Sequence, residues 1–280
     1  MKEKIRLDTL LVERGLAESR ARAQAAVLAG AVWVDGEVAD KPGSRVPSTA
    51  EVEVRGPAWP YVSRGGVKLQ KALEEFSLAV EGRVCLDVGA STGGFTDCLL
   101  QRGARQVYAV DVGHGQLHWK LRRDPRVVVM ERTNARHLQP EWFPERPDLA
   151  TVDVSFISLT KVLPAVAAVV RPEGALLALV KPQFEAGRSQ VGSGGVVRNP
   201  AVQAQVLHTL WDFGEAQGWT LQGLTASPLP GPQGNWEFWM LWHTSPTATT
   251  VLTRDRIAAV VAQVHAGSPP KAGRSGGREP

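Results

Sequence analysis

Residues 86–97, Leu-Asp-Val-Gly-Ala-Ser-Thr-Gly-Gly-Phe-Thr-Asp, constrain the fold more than any other stretch of the chain. A β-type run over residues 83–88 enters Gly89, Gly93 and Gly94, and apolar residues then return at helical spacing. A buried strand that turns through glycines into a helix is the ligand-binding corner of a doubly wound sheet. Missing side chains bring bare backbone up to a ligand, and Thr92 is placed to cap a helix running through Leu100. The spacing Gly-x-x-x-Gly-Gly is not the Gly-x-Gly-x-x-Gly that seats a pyrophosphate at a helix end, which disfavours NAD. Asp87 inside this strand and Asp111 closing the next, residues 106–111, suit a ligand with a cationic amino-acid end and a ribose diol. S-adenosylmethionine has both.

The pattern continues in βαβ fashion, with strands expected at residues 83–88, 106–111, 126–130, 149–154 and 175–180. Segments long enough for crossover helices separate them, which implies a parallel sheet. After a helix over 201–217, strands at 220–226 and 236–242 flank the turn Ser227-Pro-Leu-Pro-Gly-Pro-Gln-Gly-Asn and read as an antiparallel hairpin. The expected fold class is α/β, a Rossmann-like sheet with an antiparallel last strand. Residues 183–199 form a long glycine-rich loop beside its ligand edge, where such loops are usually functional. A short helix is expected over 254–265, followed by a disordered tail.

At 280 residues with 43% hydrophobic content, the chain has material for one large domain and a small one. Its two cysteines, Cys85 and Cys98, fall in a predicted strand and helix, so they read as buried free thiols of a reducing, cytoplasmic compartment. No basic-then-apolar leader opens the chain, and the most apolar region, 162–180, is interrupted by Arg171-Pro172-Glu173-Gly174, so a soluble protein without a membrane partner is expected. The six histidines show no metal-ligand spacing, and no metal is assigned. A net charge of +4 permits a polyanionic partner without requiring one. The cations gather in two places, Arg55, Arg64, Lys68 and Lys71, then Lys120, Arg122, Arg123 and Arg126.

Residues 6–54 read as a small α+β unit: a helix over 8–14 stopped by Gly15, a helix capped by Ser19 that runs to Leu28, and a hairpin turning at Asp35-Gly36. A further strand is expected at 51–54, within a proline- and glycine-rich stretch, 41–60, that otherwise reads as loop and linker. Arg6-Leu-Asp-x-Leu-Leu-x-x-Arg-Gly-Leu, Ser19-Arg20-x-x-Ala23 and Gly30-x-Val32-x-Val34-Asp-Gly resemble the RNA-binding module named after the fourth small-subunit ribosomal protein, the alpha-L motif. The resemblance implies that Arg6, Ser19, Arg20, Arg22 and Gln24 face RNA phosphates, with Arg64 of the linker adding to the same surface.

A helix over 67–76 carries Lys68, the fourth and fifth strands end at Asp153 and Lys181, and the last hairpin carries Glu237. Two lysines and two acids meeting at one sheet edge are tolerable because their charges cancel pairwise. In this order they resemble the Lys-Asp-Lys-Glu tetrad of FtsJ-like ribose 2′-O-methyltransferases. With the N-terminal module, residues 6–242 resemble the TlyA family of ribosomal RNA methyltransferases, historically labelled haemolysins. Gly89-Ala-Ser-Thr-Gly-Gly-Phe-Thr, Asp111-Val-Gly-His-Gly-Gln-Leu, Thr133-Asn-Ala-Arg, Ser155-Phe-Ile-Ser and Gly-Gly-Val-Val-Arg-Asn carry the match most specifically. The family usually has aspartate where this chain has Asn199.

The resemblance implies catalysis by Lys68, Asp153, Lys181 and Glu237, with Lys181 as base or hydroxyl-orienting donor. It implies S-adenosylmethionine held by Asp87, Gly89, Ala90, Ser91, Gly93, Gly94 and Phe95 at the methionine end, Asp111 at the ribose and Asn134 at the adenine. Ribosomal RNA or ribosomal subunits would be the partner and a cytidine ribose the acceptor. The implied division is 1–56 RNA-binding, 57–66 linker, 67–245 methyltransferase and 246–280 short helix and tail. A non-catalytic RNA-binding or assembly factor needs no tetrad, a membrane-lytic haemolysin needs an apolar span the chain lacks, and a base methyltransferase would handle its nucleophile with another motif.

Overall fold

The structure, a computed structural model, describes residues 4–56, 59–231, 234–245 and 252–266. The expected tail lies outside them, apart from its first residue.

The N-terminal unit contains β1 (Lys4–Arg6), α1 (Leu7–Glu13), α2 (Arg20–Leu28), β2 (Val32–Val34), β3 (Glu37–Val38), β4 (Arg45–Pro47) and β5 (Val52–Val54). Leu7, Leu11, Ala23, Val27 and Val32 form its core, small enough that the two helices and one sheet face exhaust it. Asp35 and Gly36 supply the two positive φ angles of the β2–β3 turn, 49° and 85°. Strands β3-β2-β5 make one sheet, while β1 pairs antiparallel with β4. Neither β1 nor β4 is expected from the sequence. Proline and glycine around β4 argue for loop, β1 is only three residues long, and each strand is paired with a partner far away in the chain.

The second unit contains α3 (Gly65–Glu75), β6 (Val84–Val88), α4 (Gly94–Gln101), β7 (Gln106–Val110), α5 (Trp119–Arg122), β8 (Val127–Met130), β9 (Leu149–Val152), α6 (Leu163–Val169), β10 (Ala175–Val180), α7 (Pro182–Glu185), α8 (Pro200–Ala216), β11 (Thr220–Ala226), β12 (Phe238–His243) and α9 (Asp255–Ala266). The sheet order is β11-β12-β10-β9-β6-β7-β8, with β12 antiparallel to both neighbours and the five strands from β10 to β8 parallel. Both faces are covered: Leu86 and Val88 pack with Ala150 and Val152 on one side, Cys85 packs with Leu99 and Val107 on the other. This two-sided burial is why the parallel strands read as continuous apolar runs. Both thiols are buried, which pushes Cys85 up to about 12 and Cys98 up to about 11. From β6 the sheet grows toward β7 on one side and β9 on the other, so the carboxyl ends of β6 and β9 border the switch-point crevice.

Thr92 does not cap α4. Gly93 occupies the N-cap at φ 100° without a side-chain cap, and a Cβ there would sit 2.2 Å from Leu121. The turn therefore closes by packing against α5, and the Thr92 carbonyl accepts the amide of His118 at 3.0 Å.

Candidate active site

The glycine turn after β6 lies directly on the end of β9: a Cβ on Gly89 would stand 2.2 Å from the Asp153 carbonyl oxygen. Ser91 sits in the left-handed region at φ 48°. Asp111 holds it there, its Oδ2 accepting the Ser91 amide at 2.8 Å while Oδ1 accepts the Gly113 amide at 2.7 Å. One carboxylate thus fixes two loops. Between them opens a cleft of about 550 Å³ lined by Gly89, Ser91, Asp111, Asn134, Asp153 and Phe156, among others. Val112 and Phe156 are 71% and 90% exposed at it. Asn134 also caps the short turn Ala135–His137, accepting the Arg136 amide at 3.1 Å.

Asp87 departs from the expectation of a cofactor contact. It is fully buried and lines none of the cavities around the turn. Its Oδ2 accepts the Thr96 hydroxyl at 2.6 Å, and Oδ1 has no partner. Burial pushes this carboxyl up to about 7 against the Thr96 hydrogen bond, with Asp153 and Asp111 pushing the same way. Its place is beneath the turn, tying β6 to α4, because alternate residues of β6 point to opposite faces of the sheet.

Lys68, Asp153, Lys181 and Glu237 converge on a second cavity of about 200 Å³, together with Gly89, Ala90, Ser91, Gly94 and Phe95. Lys68 Nζ donates to Glu237 Oε2 at 2.5 Å, with both side chains nearly or wholly buried. Lys181 pairs with Asp153 and donates to Ser155 Oγ at 2.9 Å. Burial pushes the Glu237 carboxyl up, Lys68 pulls it down, and Asp153 adds to the rise. Glu237 Oε1 is left without a partner and would lie 2.0 Å from a Cβ on Gly231. Gly231 was legible only as a turn glycine, and its role is to leave room for this carboxylate. The two cavities share Gly89, Ser91 and Asp153.

The glycine-rich loop is pinned rather than free. Asn235 Oδ1 accepts the Val197 amide at 3.0 Å and its Nδ2 donates to the Gly195 carbonyl at 2.9 Å. Asn199 caps α8 by accepting the Ala201 amide at 2.9 Å, a task asparagine and aspartate perform equally well.

In the N-terminal unit three of the residues expected at phosphates gather around Asp8, which the sequence reading passed over. Arg6 donates to Asp8 through Nε at 3.0 Å and Nη2 at 2.8 Å, Gln24 at 2.9 Å and Arg20 at 3.2 Å. Arg6 foremost holds this buried carboxyl well below its usual range. The guanidinium groups of Arg6 and Arg20 remain half exposed, so their outer donors still reach solvent. Ser19 is engaged as the cap of α2, accepting the Arg22 amide at 3.2 Å. Arg64 is closed in an ion pair with Asp40, and Asp40 and Leu28 of the N-terminal unit line the tetrad cavity. Neither was singled out in the sequence; only the packing of the two units reveals them.

Among the described residues no three His, Cys, Asp or Glu side chains cluster as a metal would require, and no helix is long and apolar enough to cross a membrane.

Comparison with known proteins agrees with this geometry. The FtsJ-like methyltransferase family matches residues 61–243 and the S4 domain matches residues 5–52. The 16S/23S rRNA (cytidine-2′-O)-methyltransferase TlyA of Mycobacterium tuberculosis is 51% identical over 88% of this chain and 92% of its own length. Hemolysin A of Brachyspira hyodysenteriae is 43% identical over 84% of this chain and 98% of its own. A hemolysin-named structure from Streptococcus thermophilus, 46% identical, superposes with a TM-score of 0.76 over 95% of this chain and 97% of that one. With a tetrad-bearing sheet, an S4 domain ahead of it and relatives this similar along most of its length, the chain belongs to the FtsJ-like methyltransferases, within the TlyA family.

Proposed function

We propose that the protein methylates a ribose 2′-hydroxyl of ribosomal RNA, cytidine being the acceptor by analogy with the tuberculosis relative, and works in the cytoplasm. The observation that carries this reading is the junction of the two cavities at Gly89, Ser91 and Asp153, one lined by the tetrad and the other by Asp111 and Asn134. S-adenosylmethionine fits the larger cleft: Asp111 would face the ribose diol, Asn134 and the apolar Val112 and Phe156 the adenine, and the turn Gly89–Gly94 the methionine end. Bound there, it supplies an electrophilic methyl group. Residues 67–245 are the catalytic part in this reading, and residues 1–56 deliver RNA.

A 2′-hydroxyl is a poor nucleophile until its proton is taken, so the site must hold the oxygen and accept that proton. Lys181 Nζ, steadied by Asp153 and Ser155, is the group placed for it: its N–H can hold the oxygen, and as the neutral amine, having first given its own proton to solvent, it takes the hydroxyl proton. The Lys68–Glu237 pair forms the opposite wall and keeps the cavity shaped and electrically balanced.

The test is transfer of labelled methyl groups to separated ribosomal subunits, with mapping of alkali-resistant linkages. Methyl groups on bases would refute the ribose assignment, and cofactor binding with no transfer to any RNA would favour an assembly factor. Leakage of protein-free liposomes on adding the pure protein would revive the lytic reading. Removal of residues 1–56 should leave cofactor affinity near that of the intact protein while RNA methylation collapses. Asp111→Ala should weaken cofactor binding by roughly the 1.5–3 kcal/mol of a charged hydrogen bond, read by calorimetry.

A further inference from the structure

A groove of about 1130 Å³ separates α2 of the N-terminal unit from α5 of the sheet unit. Arg22 stands on one wall and Trp119, Arg122 and Arg123 on the other. Trp119 is 57% exposed, whereas Trp239 and Trp242 of the core are 0% and 1%. The Arg123 guanidinium lies over the Trp119 ring, 5.5 Å from its centroid, and the His118 ring is 5.7 Å away, so the indole is braced although more than half of it stays exposed. Arg122 is paired with Glu131, but among the described residues Arg22 and Arg123 have no carboxylate partner. The groove and the tetrad cavity share Leu28, Ser91 and Thr92. A large open aromatic flanked by unpaired cations, continuous with a cavity that must receive one nucleotide, matches an unpaired polyanionic strand. A duplex stacks its bases on one another and has none to offer an indole.

We propose that this groove seats the single-stranded RNA beside the target nucleotide, with Trp119 as the platform for a neighbouring base and Arg22 and Arg123 on the phosphates. The proposal rests on the methyltransferase reading and names the residues that position its substrate strand.

The test titrates the full chain with a single-stranded RNA about ten nucleotides long carrying a central 2-aminopurine. Wild type and Trp119→Phe should quench the probe. Trp119→Ala should lose the quenching and bind about tenfold more weakly or worse, with S-adenosylmethionine affinity by calorimetry unchanged. Arg123→Ala should lower the slope of log affinity against log salt by about 0.7. Unchanged quenching and affinity in Trp119→Ala would overturn the proposal. So would loss of cofactor binding in that variant, because the ring would then be holding the fold. If wild type transfers no methyl group to ribosomal subunits yet quenches through Trp119, the enzyme reading fails and the RNA groove stands.

Discussion

Asp8 and Glu237 are both carboxylates with no exposed surface, one in each unit of the molecule, and their surroundings differ in kind. Asp8 receives donors from Arg6, Arg20 and Gln24, and its carboxyl is held well below the ordinary range. Glu237 receives one ammonium, keeps one oxygen without a partner, and is pushed above the ordinary range by burial. A buried acid whose acceptors are filled fixes a structure, since each added hydrogen bond lowers the energy of its charged form. One left under-satisfied is costly, and such groups concentrate where a ligand completes them. In the proposed reading Asp8 serves folding, while Glu237, which faces the tetrad cavity as the equally buried Asp87 does not, serves the chemistry with its neighbours.

The largest effect that would sharpen this contrast is on turnover. Lys181→Ala should cut single-turnover methylation of ribosomal subunits by roughly 10²–10⁴-fold, the usual worth of positioned acid-base help. Cofactor affinity by calorimetry should barely move. Lys181→Arg should rescue little, because a guanidinium keeps its proton. Near-normal turnover of Lys181→Ala in a folded protein would remove the lysine from the mechanism and dissolve the contrast.

Next in size is stability. Glu237→Gln strands the Lys68 ammonium, whose side chain is only 6% exposed, and should cost about 3–5 kcal/mol in chemical denaturation. Replacing both members, Lys68→Met with Glu237→Met, should recover most of that loss without restoring methylation. A double variant that is both stable and active would show the pair to be scaffold alone.

Asp8→Ala should cost less, about 1.5–3 kcal/mol for its charged hydrogen bonds, because the arginines it releases already reach water. The loss should be confined to the N-terminal unit, seen as faster proteolysis there with cofactor binding unchanged. If cofactor binding fell in parallel, the two units would not be energetically separable as the comparison requires.

The smallest effect is on pH dependence, where the two regions have opposite signs. Asp8, lowered in the fold, contributes stability that is complete above its unfolded value, about 3.9, and is lost as pH falls through the folded one. Raised carboxyls behave the other way: the folded state takes up a proton first, so Asp87 adds stability as pH falls from about 7 toward its unfolded value. Thermal unfolding should therefore show Asp87→Asn flattening the rise in stability between neutral and mildly acidic pH, while Asp8→Ala converges on wild type only in stronger acid. A steeper neutral-to-acid rise in Asp87→Asn would contradict the placement of that carboxyl.

Local sequence determined the parts of this protein whose signal is carried by neighbours along the chain. The apolar runs that became β6, β7, β9 and β10, the Asp35-Gly36 turn and the Ser19 cap were all legible because period, φ preference and capping act within a few residues. The order Lys68, Asp153, Lys181, Glu237 was legible as a resemblance, but its pairing was not, since Lys68 of α3 meets Glu237 just ahead of β12 and the residues that follow β9 and β10 meet each other. Strands β1 and β4 have no local signal, because each is stable only on the other. Thr92 was a reasonable cap by type, yet the packing of Leu117 and Leu121 over Gly93 left that position to glycine. The same holds for Asp8 as a hub, Asp87 beneath the turn, Asp40 at the tetrad cavity and Trp119 in its groove. Burial and the identity of a partner are properties of the packed chain, and only the tertiary structure decides which polar side chain is filled and which is left open to act.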